Sequence, residues 1–132
     1  MNLLSNYPTE VLILLFLMVT FLQSGADKLF DWKGNVSFIK EHFKNSPLKN
    51  SVPLLLAIIL ILEIVAGLLM LIGVYELYTS EANEFALLGV ELSAIVLILL
   101  LIGQRLAKDY AGAMSLAVYF IISLWGVYLL NS

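Results

Sequence analysis

Residues Val52–Val74 read VPLLLAIILILEIVAGLLMLIGV, an almost unbroken apolar run interrupted by one charge, Glu63. A bilayer core is about 30 Å thick, and a helix rising 1.5 Å per residue needs about 20 apolar residues to cross it. The run therefore reads as a transmembrane helix. Working outward, three more runs have the same character: Val11–Ala26, extending to Phe30, then Phe85–Gly103 and Ala111–Leu130. The spans fall at about residues 9–30, 52–74, 85–103 and 111–130.

Composition agrees. Of 132 residues, 61% are hydrophobic, and the mean hydropathy is +0.98. Soluble domains are far less apolar. Too little chain lies outside the spans for a second folded unit, so residues 1–132 are expected to form a single four-helix membrane domain. There are no cysteines, which removes disulfides, thiol redox chemistry and thiolate metal sites. The single histidine removes a haem held by two histidines of one chain. No covalent cofactor or metal is expected. The basic residues sit near the membrane surface, where anionic lipid is their natural partner, so no nucleic-acid binding is expected.

The net charge of −3 matters less than its distribution. Lys28, Lys33, Lys40, Lys44 and Lys49 flank or fill the first connection, and Arg105 and Lys108 the third. The opposite side carries Glu10, Glu76, Glu81 and Glu84 and no basic residue. The positive-inside rule places the basic side in the cytoplasm and both termini outside. Met1–Glu10 lacks the positive charge of a secretory signal, so the first span is expected to be retained. A bacterial inner membrane is the expected location.

Local signals bound the helices. Pro8-Thr9-Glu10 starts the first, with Thr9 as the expected cap and Glu10 in the first turn. Pro53 suits the first turn of the second. The connections Tyr75–Glu84 and Gln104–Tyr110 are short, which makes antiparallel hairpins and an up-down four-transmembrane-helix bundle, an all-α fold. Tyr7, Tyr75 and Tyr78 mark one interface, and Trp32, Phe43 and Tyr110 the other. In the long first connection, Val36, Ile39 and Phe43 share a helical face, against Lys40, Glu41 and Lys44. This predicts a short amphipathic helix on the cytoplasmic surface; an irregular loop is the alternative.

Ionisable groups inside a membrane are costly and mark candidate sites. Glu63 lies near the midplane, and Glu91 in the outer half of the third span. Lys28 lies about 10 Å from Glu63 along the membrane normal, within reach of two long side chains. Lys28 either turns inward to pair with Glu63 or extends to the surface, with Asp27 then meeting Arg105 or Lys108. Gly67, one turn beyond Glu63, lets a neighbouring helix approach. Gly89 and Ser93 form a small-xxx-small pair on nearly the opposite face from Glu91. Because an ionised carboxylate facing lipid is costly, Glu91 is expected to point inward, leaving Gly89 and Ser93 for another subunit. Gly112, Ser115, Tyr119, Ser123 and Gly126 form a stripe expected to face the bundle. Gln23, Lys28, Glu63, Glu91 and Tyr119 are thus the candidate lining of a polar interior. It serves either as interhelical hydrogen-bonding glue or as a site for a polar headgroup, a quinone or a proton.

Gly25-Ala26-Asp27-Lys28-Leu29 and the pattern Glu63, Gly67, Met70, Gly73 resemble the DoxX family of small four-span membrane proteins. Members end the first helix with a G-x-x-K motif and carry E-x-x-x-G-x-x-L-x-x-G in the second. Here Met70 stands at the Leu position. Many members begin the first helix with an Arg, which this chain lacks. The resemblance covers the first two spans by motif and the last two by hydropathy.

The family takes its name from a subunit of a thiosulfate:quinone oxidoreductase, and other members resemble accessory subunits of membrane redox complexes. Distant relatives resemble assembly chaperones and cargo receptors. The resemblance implies an accessory, non-catalytic subunit of a membrane redox or envelope complex, near a quinone or lipid site. A membrane scaffold or chaperone comes second, and a proton-coupled carrier third. The expected partners are the lipid bilayer and either further copies of the chain or other membrane subunits.

Overall fold

The computed structural model describes residues 7–80 and 82–131. Among these residues five helices follow in order: α1 (Pro8–Phe30), α2 (Trp32–His42), α3 (Val52–Thr79), α4 (Glu84–Leu106) and α5 (Tyr110–Asn131). All but α2 are long and apolar enough to cross a membrane.

Consecutive long helices run antiparallel. Gly67 of α3 meets Leu22 of α1, Gly89 of α4 meets Met70 and Ala66 of α3, and Gly126 of α5 meets Val90 of α4 and Ile13 of α1. The helices form a ring in the order α1, α3, α4, α5, with α4 packed most closely against α3 and α5 and the ring closed by a smaller α5–α1 contact. This is the up-down bundle expected from the short connections. Its centre holds Leu14, Leu17, Phe21, Met70, Val90 and Val96, while most other large apolar side chains face outward. An outward apolar surface is what lipid solvates.

Local physics refines the boundaries. Pro8 takes the first turn of α1, preceded by Tyr7, whose side chain makes no cap bond; Thr9 is already helical and caps nothing. The ring of Pro8 fixes φ and needs no donor there. Asp31 caps α2 by accepting from the Gly34 amide, at 3.2 Å. A helix forms here as expected, and the irregular-loop alternative fails. α3 runs to Thr79 rather than stopping at Val74, because Leu77 is still buried on the core face. Falling hydropathy after Val74 does not mark the helix end. Glu76 then accepts from the Phe85 amide across the connection, and the Asn83 side chain donates to the Leu130 carbonyl. Glu81 lies outside the described residues.

All seven Lys and Arg residues lie at one end of this ring, the end of α2 and the α4–α5 connection. We call it the basic end.

Candidate functional site

Lys28 turns inward. Its Nζ lies 2.7 Å from Glu63 Oε1 and 2.6 Å from Ser24 Oγ, to both of which it donates. The side chains are 12% and 3% exposed, so the pair is almost wholly removed from solvent. A charge buried alone in hydrocarbon is expensive, and each partner supplies the other's counter-charge. Asp27 remains exposed and makes no ion pair with Arg105 or Lys108. Among the described residues no buried side-chain nitrogen or oxygen lacks a hydrogen bond. The Lys28–Glu63 pair therefore ties the end of α1 to the middle of α3.

The other expected members of a polar interior do not join it. Gln23 is exposed on α1, two residues from the nearest buried position. Tyr119 is half-buried, and its ring meets Phe16 at 5.9 Å between centroids. Glu91 is exposed, whereas Gly89 and Ser93 are buried. This reverses the expected orientation of α4. The reason is close approach: a Cβ on Gly89 would lie 2.9 Å from the Met70 amide nitrogen, and one on Gly73 would collide with the Ala86 backbone. Small residues on both helices serve the α3–α4 contact within the chain. Two residues on a helix are about 200° apart, so burying Gly89 and Ser93 turns Glu91 outward.

The hydroxyls of the spans bond within their own helices. Ser93 donates to the Val90 carbonyl at 2.7 Å, Ser123 to Tyr119 at 3.0 Å and Thr20 to Phe16 at 2.8 Å. Of the α5 stripe, Ser123 and Gly126 are buried, but Ser115 is exposed. The interior glue is thus one ion pair and dense packing, not a hydroxyl network.

A second site lies at the basic end. A cavity of about 700 Å³ opens between α2, α3 and α4. Ile39 and Phe43, Leu55, Leu56 and Ile59, and Leu99 and Leu100 give it an apolar wall. Its polar edge is His42, Gln104 and Asp109. His42 Nε2 lies 3.0 Å from Gln104 Oε1 and 3.2 Å from Asp109 Oδ2, so this ring nitrogen faces two oxygen partners. Asp109 is held in turn by the Gly112 amide, which donates to its Oδ1 at 2.9 Å at the start of α5. Ring contacts to Phe38 and Phe43 seat the imidazole. Pockets of about 300–1,000 Å³ with an apolar wall and a few convergent polar groups are the usual form of a small-molecule site.

Sequence reading missed this trio. The lone histidine beside an amphipathic face was a signal, as was an aspartate just before the last span. Their meeting across the fold was not legible locally. Nearby, on the surface, the hydrogen bond from Lys44 to Glu41, then that carboxylate's charge, raises the Lys44 pKa. Among the described residues no group of three or more His, Cys, Asp or Glu side chains is arranged to hold a metal.

No curated protein and no solved structure matches the chain. The family profile of DoxX matches residues 11–98, which takes in α1, α2, α3 and most of α4. The Lys28–Glu63 pair and the close-packed Gly67 and Gly73 fall inside that match, and the chain belongs to the DoxX family.

Proposed function

We propose that this integral membrane protein is a non-catalytic accessory subunit of a membrane redox or envelope complex, and that the cavity at its basic end holds a quinone. One observation carries the reading: an apolar cavity of about 700 Å³ ending in His42, Gln104 and Asp109. An isoprenoid tail suits the wall. A neutral ring with carbonyl or hydroxyl oxygens suits the edge, where donors and acceptors meet but the Asp109 carboxylate disfavours an anionic headgroup. These three side chains bind and move protons and carry no electrons, so electron transfer belongs to a partner subunit. In this reading the basic end faces the cytoplasm of a bacterial inner membrane, and the cavity opens at the inner leaflet.

Photoaffinity labelling with an azidoquinone in membranes containing the full chain tests it. Cross-links to the α2, α3 and α4 residues of the cavity support the proposal, with labelling reduced about tenfold by His42→Leu and competed by excess quinone but not phospholipid. Competition by phospholipid alone assigns the cavity to a lipid. Labelling spread over the outward faces of the spans removes the quinone site.

A further inference from the structure

The outward face of α4 carries Leu88, Glu91, Ile95 and Ile98, all exposed, at helical spacing and apart from the cavity wall. Glu91 is the one ionisable group in this stripe. Its side chain makes no hydrogen bond or ion pair among the described residues, whereas Glu63 is paired with Lys28. It lies seven residues from the start of α4, about 10 Å into the helix from the end opposite the basic residues. That depth falls inside the apolar run that begins at Phe85, where an ionised carboxylate is costly without a counter-charge.

We propose that this face docks a transmembrane helix of another protein that presents a lysine or arginine opposite Glu91. Charge decides the partner. An intramembrane carboxylate on an apolar stripe is compensated by a cation at the same height. A second copy of this chain has none to offer, because all seven of its basic residues lie at the far end of the bundle. Its exposed Gln23 lies about 10 Å from that far end, too distant in height for a copy in the same orientation. Its exposed Trp125 comes nearest, six residues from the end of α5, but an indole N–H supplies one hydrogen bond and no charge. The small residues that often mark a helix–helix contact are already used up between α3 and α4. The partner therefore meets side chains here, and the carboxylate fixes its register. This inference rests on the accessory-subunit reading in requiring a partner span, but not on what the cavity binds.

The full chain in lipid nanodiscs tests it. A single cysteine introduced at Ser80 carries a donor dye, since the sequence has no cysteine of its own. Leu-rich transmembrane peptides, flanked alike and carrying an acceptor dye, hold Lys, Leu or Glu at the height of Glu91. Intramembrane polar pairs have measured strengths that correspond to about 3- to 20-fold in affinity. The expected result is Lys-peptide binding about 3- to 20-fold tighter than the Leu peptide, the Glu peptide weakest, and the preference abolished by Glu91→Gln. Gln23→Leu leaves the preference unchanged. Circular dichroism and thermal unfolding confirm that Glu91→Gln is folded. Equal binding of the Lys and Leu peptides overturns the proposal. So does energy transfer between copies of the chain that Trp125→Phe removes, which assigns the face to self-association.

Discussion

Lys28 near the end of α1 and Glu63 in the middle of α3 form a 2.7 Å ion pair, with Ser24 as a third partner. The pair joins two short patterns, one on each helix, that both lie inside the region matched by the family profile. The lysine reaches along the membrane normal, and the glutamate waits where Gly25 lets Ile64 and Leu60 lie close. The motif is therefore a statement about helix docking before it is one about chemistry.

Breaking this pair from one side should cost more than removing it. Lys28→Met leaves a carboxylate that is 3% exposed without a counter-charge, and we expect a loss of about 3 kcal/mol. Lys28→Met combined with Glu63→Leu replaces both charges with apolar groups and should recover most of that loss. Thermal or denaturant unfolding in a defined detergent measures the cycle; strict additivity would show that the two side chains do not interact.

The α3–α4 contact should be the least tolerant of added volume. Gly73→Ala sets a methyl group against the Ala86 backbone and should cost about 1–3 kcal/mol. Gly103→Ala meets only Phe43, at an ordinary 3.6 Å, and should be neutral or stabilising by about 0.5–1 kcal/mol through lower chain entropy. Unfolding midpoints for the two variants should move in opposite directions or differ clearly in size.

Asp109 has two jobs that substitution separates. Asp109→Asn keeps an acceptor for the Gly112 amide and should retain the α5 cap, whereas Asp109→Ala should lose about 1 kcal/mol of stability. Both remove the carboxylate facing His42, so both should weaken azidoquinone labelling, while only Asp109→Ala lowers the unfolding midpoint.

Orientation is open to direct labelling. With no native cysteine, Ser80→Cys and Asn45→Cys report opposite ends of the bundle, both at exposed positions. A membrane-impermeant maleimide applied to intact cells should label the first and spare the second. The reverse pattern would invert the proposed topology.

Four spans, their antiparallel order and the amphipathic α2 were legible because hydropathy and short connections determine them almost alone. The Lys28–Glu63 pairing was legible as one of two placements, since rise per residue sets heights but not rotation about the helix axis. Rotation is where reading failed. Glu91 was turned inward on the argument that lipid rejects a carboxylate, but the Gly73–Ala86 and Gly89–Met70 approaches decide the α4 face by shape. Gln23 met the same fate on α1. The His42–Gln104–Asp109 edge was illegible for another reason: it joins α2 to the α4–α5 connection, and no local pattern encodes that meeting.

Native mass spectrometry of the protein, extracted gently from its own membranes, tests the accessory-subunit account most directly. The account predicts a complex in which this chain accompanies a second polypeptide with at least one membrane span, together with a small adduct of quinone mass lost on His42→Leu. A bare monomer or a homo-oligomer free of any such adduct would contradict it.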